Sequence, residues 1–268
     1  MSRRIGVAVV GLGAIGPVHV EALKDLEKST DYIKLVGVQD IIRSRVDEFA
    51  SKYGCKAYYT YDDVVKDPEV DVVAIATPHY LHAWQAIYAM EYGKHVIVEK
   101  PMATTVSAAK EMISKAKRKG VKLGVVFQGR YADGVKELLN YINSGALGKI
   151  YLVIGEMMWW RDEAKYYLRD ELARSWRGMW GTEGGGALIN QAIHTIDLLL
   201  TLGGDVDEIV GYVDNLVHPS ISVEDIGLAL MKYKNGGYGV LTANLNTKPT
   251  THQYRRIKVF GTKGQAEL

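Results

Sequence analysis

Along residues 1–127 the hydrophobic positions fall into short β-branched runs, separated by longer segments in which apolar residues recur every three or four positions. The runs are Ile5 to Val10, Lys34 to Val38, Val70 to Ala76, His95 to Val98 and Lys122 to Phe127, with a weaker one at Lys56 to Tyr59. Helical periodicity covers Ala14 to Leu26, Arg43 to Lys52, Leu81 to Tyr92 and Ser107 to Lys119. Strands lacking a polar face and alternating with helices are what a parallel sheet buried on both sides requires. The pattern predicts an α/β domain with a doubly wound parallel sheet of Rossmann type. Gly93 and Gly120 stand where helix C-caps fall, and Asp62 where an N-cap would open a short helix.

After Gln128 the period changes. Helices are predicted over 134–143 and 186–202, and the rest reads as longer strands: Ile150 to Met158, Val206 to Leu216, Ile226 to Lys234, Gly237 to Asn246 and Arg256 to Phe260. Asn235-Gly236-Gly237 marks a hairpin, because Asn and Gly accept positive φ cheaply. Residues 128–268 therefore read as an α+β domain with an open, mostly antiparallel sheet, following the doubly wound domain over 1–127.

Composition narrows the function classes. The 268 residues are 47% hydrophobic and 24% charged, with 33 basic and 31 acidic side chains, a net charge of +2. That balance supplies no overall field for nucleic acid or an anionic membrane, so the expected partner is a small molecule. One cysteine, Cys55, excludes a disulfide scaffold, a zinc ribbon and a Cys-ligated cluster. Ser2-Arg3-Arg4 before Ile5 to Val10 has the start of a secretory signal, but glycines at 11, 13 and 16 break the run and no cleavage site follows. The run is also too short for a membrane span, and a cytoplasmic protein with a reduced thiol is expected.

Gly11-Leu12-Gly13-Ala14-Ile15-Gly16 joins the first strand to the first helix. The first glycine allows the tight turn, the second lets backbone approach a pyrophosphate, and the third lets helix pack on strand. Asp40 ends the second strand, where a carboxylate can accept from a ribose hydroxyl; capping the next helix is the competing use. Its charge would repel a 2′-phosphate, which favours NAD, while Arg43 and Arg45 leave NADP open. Thr77-Pro78-His79, with His82 one turn on, closes the fourth strand; Glu99-Lys100-Pro101 closes the fifth and Gln128 the sixth. All lie at the carboxyl edge, where open α/β sheets bind ligands. A partly desolvated lysine beside a cationic nicotinamide has the lowered pKa that proton exchange with a hydroxyl needs, although a single loop lysine is by default a surface group. His79 either stacks near the nicotinamide or caps its helix. His79 and His82 lack a third ligand, so no metal site is expected.

In the second half Asn190, His194 and Asp197 are spaced i, i+4, i+7 on one helix face, with Leu188, Ile193, Ile196 and Leu200 supplying apolar contacts. Asp197 is either a partner for His194 or a structural polar residue. Trp159, Trp160, Trp176 and Trp180 interleave with Arg161, Arg169, Arg174 and Arg177. Such a segment suits a sugar carrying an anionic group, and it also suits a subunit interface.

Taken together, GLGAIG at 11–16, ATPHYLH at 76–82, VEKPMA at 98–103, GGGALINQAIHTIDLL at 184–199 and GTKG at 261–264 resemble the Gfo/Idh/MocA oxidoreductases across the whole chain. The Asn-Gln-Ala-Ile-His version is most similar to the UDP-N-acetylglucosamine 3-dehydrogenase branch. The resemblance implies hydride transfer between NAD(P) and a secondary hydroxyl carbon of a sugar, nucleotide sugar or cyclitol. It makes Lys100 the catalytic acid/base and His194 a second one or a substrate-orienting group, with Asn190, where many members have aspartate, and Trp160, Arg161 and Arg177 on the substrate. Gly11, Gly13, Ala14, Ile15, Gly16, Asp40, Thr77, Pro78, His79, His82, Glu99, Lys100 and Gln128 are expected around the cofactor. The alternative is a nucleotide-binding regulator of the same fold that does no chemistry. Open sheets of this kind are usually covered by another subunit, so a homodimer or homotetramer is expected. Such relatives usually continue for several dozen residues past GTKG, so the second domain is expected to be C-terminally short.

Overall fold

A computed structural model describes residues 3–268, so Ser2, the first residue of the basic tripeptide, lies outside the described residues. The described chain divides into two compact units between Val126 and Phe127. In the first, β1 (Ile5–Val10), β2 (Ile33–Gln39), β3 (Lys56–Tyr58), β4 (Val72–Ile75), β5 (His95–Val98) and β6 (Leu123–Val125) pair in parallel in the order β3-β2-β1-β4-β5-β6. The connecting helices are α1 (Gly16–Ser29), α2 (Arg43–Tyr53), α3 (Tyr61–Lys66), α4 (His79–Glu91) and α5 (Val106–Lys119). Successive residues of β1 enter different cores. Val7 and Val9 pack with Leu12, Val20 and Val38, while Ala8 and Val10 pack with Val73, Ile75, Met90 and Met112. A strand buried on both faces has no use for alternation, which is why its sequence is continuously apolar.

The caps agree with the sequence reading except at one helix. Gly120 closes α5 at φ 65°, and Gly93, just past α4, has φ 73°. Asp62 does not cap α3: Thr60 does, accepting from the Asp63 amide while Asp63 Oδ2 accepts from the Thr60 amide at 3.2 Å. This reciprocal pair satisfies two helix-end donors at once. Asp62, inside the first turn, instead accepts from Tyr88 and Lys66.

The second unit contains α6 (Asp133–Asn143), β7 (Ile150–Met158), the short α7 (Glu171–Arg174), α8 (Ile193–Gly203), β8 (Val206–Asp214), β9 (Ile226–Tyr233), β10 (Tyr238–Asn244), β11 (Tyr254–Gly261) and β12 (Gly264–Glu267). Its sheet runs β12-β11-β7-β10-β9-β8, antiparallel apart from the β7–β10 pair. In the β9–β10 turn, Gly236 has φ 87° and the Asn235 side chain accepts from the Gly237 amide at 2.9 Å. β12 was not among the expected strands; the 261–264 GTKG segment is the hairpin that leads into it. Leu198, Leu199 and Leu202 of α8 join Val153, Met157, Leu241 and Ile257 in the core. Leu200, expected among the apolar contacts, is 44% exposed because it faces away from the sheet.

Candidate active site

The candidate nucleotide site of the first unit is built by the β1–α1 turn. Gly11 has φ 91° and its amide donates to the Gln39 carbonyl at 2.8 Å. A Cβ on Gly16 would lie 1.9 Å from the Gly11 carbonyl oxygen, so only glycine lets α1 begin this close to the turn. A Cβ on Gly13 would meet nothing within 4 Å, so the loop has open space beside it. Ala14 and Ile15 complete the exposed loop, and α1 starts without a side-chain cap, with its proline in the first turn. Such an end presents amide donors and the positive pole of the helix to an anion. Asp40 is buried. One of its oxygens accepts from the Leu12 amide at 2.6 Å and the other from the Ile42 amide at 2.8 Å. It therefore braces the glycine loop and makes a local turn with Ile42; it does not cap α2, whose capping position is Ile42. Arg43 lies 4.3 Å over the Tyr59 ring. Glycine loop, uncapped helix and carboxylate fit a dinucleotide.

At the same edge the side chains knit the β4–α4 and β5–α5 loops together. His82 is fully buried, with Nδ1 2.7 Å from the Pro101 carbonyl and Nε2 2.8 Å from the Thr77 carbonyl. Burial holds its pKa below the usual histidine range. Thr77 donates to Gln85 at 2.6 Å. Pro78 occupies the capping position of α4, so His79 is its first residue rather than its cap, buried with its ring 5.8 Å from that of His82. Glu99 is 8% exposed; one oxygen accepts from His19 Nε2 at 2.9 Å and the other from the Lys100 amide at 3.1 Å. Burial opposes its ionisation, yet the His19 hydrogen bond and charge and the Lys100 amide win, holding its pKa below the usual carboxylate value. His19 was not among the sequence candidates. Its signal was a histidine three residues past the last loop glycine, facing the sheet edge.

In the second unit Gln128 opens a 3₁₀ turn (Gln128–Tyr131). Asn190 belongs to a π-helical turn, Ala187–Ala192, and α8 begins only at Ile193. The i, i+4 register between Asn190 and His194 is therefore not that of one α-helix, because the wider turn rotates Asn190 away from the helical phase. The Asn190 amide reaches Tyr166 Oη at 3.0 Å and also bonds the fully buried Glu183 carboxylate. Tyr166 Oη accepts as well from Arg177 at 2.5 Å and from Gln191 at 3.2 Å, and Gln191 accepts from Arg161 at 3.0 Å. Arg161 lies 4.8 Å over Trp159 and 5.0 Å over Tyr166. Burial raises the Glu183 pKa against the Gly178 amide and Arg177. Tyr166 and Glu183 went unnoticed in the sequence because nothing local marks a tyrosine or glutamate as a hub. Trp160 stacks under Lys248, 3.7 Å from its centroid. His194, in the first turn of α8, meets the Phe127 ring edge-on at 6.2 Å. Asp197 accepts from both Nε and Nη2 of Arg130, which assigns it a structural ion pair.

Among the described residues, no group of three or more His, Cys, Asp or Glu could hold a metal ion, and no helix is long and apolar enough to cross a membrane.

Comparison with known proteins settles the family. Residues 5–127 match the model of the oxidoreductase family with an NAD-binding Rossmann fold, and residues 135–267 match the GFO/IDH/MocA C-terminal domain. The chain belongs to the GFO/IDH/MocA family. It is thus an NAD-binding oxidoreductase. Myo-inositol 2-dehydrogenase of Thermotoga maritima is 28% identical over 97% of this chain and 73% of its own length. Trans-1,2-dihydrobenzene-1,2-diol dehydrogenase of Bos taurus is 27% identical over 100% of this chain and 74% of its own. Among solved structures, the WlbA dehydrogenase of Bordetella pertussis in complex with NADH and UDP-GlcNAcA superposes with a TM-score of 0.91 and 31% identity, covering 99% of this chain and 78% of that one.

Proposed function

We propose that this GFO/IDH/MocA protein oxidises a secondary alcohol on a sugar or nucleotide sugar that carries an anionic group, with Lys100 as acid/base and His194 orienting the neighbouring hydroxyl. NAD, when bound, would supply the hydride acceptor for the oxidation of a CH–OH carbon to C=O. Gly11, Gly13, Ala14, Ile15 and Gly16 would hold its pyrophosphate and Asp40 its adenosine ribose, with Thr77, Pro78, His79, His82, Glu99 and Gln128 near the nicotinamide half. Lys100 takes the hydroxyl proton and later releases it to solvent.

The observation behind the anionic substrate is the charge of the Tyr166 cluster. Arg177 has the Glu183 carboxylate 3.8 Å away, whereas Arg161 is held by Gln191 and two aromatic rings rather than by a carboxylate. The cluster carries one cation in excess, and a guanidinium packed on rings is ready-made for a carboxylate or phosphate. Trp160 and Asn190 complete the proposed substrate wall. The WlbA complex, whose ligand is a uronic acid nucleotide, supports the same reading. Incubation with NAD and matched acidic and neutral sugars, followed by nicotinamide absorbance, should show turnover favouring the acidic member. Arg161→Met should raise KM for it roughly 10- to 100-fold, the equivalent of a charged hydrogen bond, and leave the neutral sugar nearly unaffected. Equal losses for both sugars would sink the assignment.

The outer face of the second sheet is proposed to seat a second copy. Val210, Leu230, Val240 and Ile154 form one register row across β8, β9, β10 and β7, and Tyr212 and Leu228 sit side by side in the next. Val210, Tyr212, Leu228 and Leu230 are 60%, 78%, 44% and 58% exposed. A contiguous apolar patch of this kind marks an interface. Light scattering should give a dimer or tetramer mass, and Leu230→Glu should reduce it; a wild-type monomer at micromolar concentration would contradict the proposal. A cytoplasmic location, in keeping with the single, half-buried Cys55 thiol, whose pKa burial pushes up to about 11, completes the reading.

A further inference from the structure

The outward face of α4 takes no part in the chemistry proposed above. Other helices of the first unit turn charge to solvent: α2 exposes Arg43, Asp47 and Glu48, and α5 exposes Lys110, Glu111 and Lys117. The inner side of α4 buries His82, Gln85, Ala86, Ala89 and Met90, while Tyr80, Trp84, Tyr88 and, at its C-cap, Tyr92 run along the outer side. A helix that is apolar on both sides normally lies buried. We propose that this aromatic row is a self-association surface, on which α4 of one copy packs against α4 of a second copy about a two-fold axis.

The spacing sets the mode of packing. Residues at i, i+4, i+8 and i+12 form one ridge of a helix, and two such ridges interdigitate at about −50°, the commonest class of helix packing. The row is close to symmetric, so an axis between Trp84 and Tyr88 sets Trp84 against Tyr88 of the partner subunit and brings Tyr80 toward Tyr92 of the partner subunit. Its rings are held before association. Tyr61 Oη donates to the Gln85 carbonyl at 2.6 Å and Tyr88 Oη to Asp62 at 2.7 Å, and the Trp84 ring lies 5.7 Å from those of Tyr61 and Tyr88. Little side-chain freedom is left to lose on binding. Charge points to an identical partner, because near a two-fold axis every charge meets its own sign and a self-associating face has to be neutral. Here Asp62 is paired with Lys66, and Glu91, the exposed charge of α4, with Lys115 and Lys119. Area limits the strength. Tyr80, Trp84 and Tyr92 are 44%, 55% and 41% exposed, and rings of about 150–250 Å² each then bury about 600 to 800 Å² per pair, against about 1,200 Å² for a free-standing interface. The ridge therefore adds to a contact made elsewhere, and for that contact the proposal rests on the outer face of the second sheet; the smallest closed assembly that uses both is a tetramer.

Light scattering at micromolar concentration tests this arrangement. Wild type should have the tetramer mass, Trp84→Glu should halve it with NADH affinity unchanged, and Trp84→Tyr, which keeps an aromatic ring, should keep the tetramer. Tyr80→Glu, outside the ring contacts that brace Trp84, should also halve the mass, and it reads the interface if the Trp84→Glu chain fails to fold. Leu230→Glu combined with Trp84→Glu should leave a monomer. A folded Trp84→Glu protein of wild-type mass, or a mass lowered as much in Trp84→Tyr, overturns the proposal, whether or not this face then takes a neutral oligosaccharide such as cellohexaose or another protein. A wild-type dimer that Leu230→Glu dissolves and Trp84→Glu leaves intact defeats the ridge alone. The reverse response keeps the ridge and defeats the sheet face, and a wild-type monomer defeats both.

Discussion

Replacing Lys100 by methionine should lower kcat by a factor on the order of 10² to 10⁴, the range that a positioned acid/base supplies. Methionine keeps the length and packing of the stem and removes the titratable nitrogen. The elements proposed for the pyrophosphate and the adenosine ribose lie elsewhere on the sheet. The glycine turn is closed by the Gly11–Gln39 bond, and Leu12 is braced by Asp40; neither contact passes through Lys100. NADH affinity should therefore change by less than about 1 kcal/mol, the worth of one ordinary hydrogen bond. Fluorescence titration with NADH and steady-state turnover on the same preparation provide the check. Wild-type turnover in the variant would remove Lys100 from the chemistry. Loss of NADH binding in step with turnover would make it a cofactor ligand.

How much of this was legible in the sequence depends on the range of the interaction. The parallel sheet could be read because a strand such as β1, whose successive residues enter opposite cores, must be apolar throughout. The glycine turn could be read because backbone geometry, not side-chain partners, sets its residue types. What stayed hidden is pairing between distant side chains. Asp197 had two local readings, and the partner that decides between them, Arg130, lies 67 residues earlier. Glu183 and Tyr166 each occupy unremarkable sequence and gain meaning only when Asn190 and Arg177 fold onto them. The π-helical turn at Ala187–Ala192 was illegible for another reason: helical periodicity does not distinguish a wide turn from an α-helix over six residues. Asp62 shows the same limit at a cap, because three acceptors at Thr60, Asp62 and Asp63 compete for a helix end and only geometry picks one.

A buried network of the second unit that no motif announced should carry the largest stability effect. Asp225 has no solvent exposure. Its Oδ1 accepts from the Leu216 amide and Asn246 Nδ2, both at 3.0 Å, and its Oδ2 from the Val217 amide at 2.8 Å, the His218 amide at 3.1 Å and His218 Nδ1 at 2.9 Å. Burial opposes its charge, but the donors from Asn246, Leu216, His218 and Val217 outweigh it and hold the pKa below the usual carboxylate value. Asp225→Asn turns one oxygen into an NH₂ group that must face at least two donors whichever way the amide is placed. The expected cost is on the order of 3 to 5 kcal/mol, as for breaking a buried charged network, or a fall in melting temperature of roughly 10 °C. The sign with pH is fixed by the lowered pKa. The carboxylate's contribution is complete above its unfolded pKa, near 4, and is lost as pH falls through the folded value, so the gap between wild type and variant should be constant at neutral pH and narrow in acid. The same network reaches the substrate wall, since His218 Nε2 lies 2.6 Å from the Arg161 carbonyl. The variant should then also raise KM for an acidic sugar while leaving NADH affinity, set in the other unit, unchanged. Denaturant titrations from pH 8 down to about pH 2, paired with KM measurements at neutral pH, test both halves; a gap between wild type and variant that stays constant down to about pH 2 would show that the Asp225 charge is not what holds this region together.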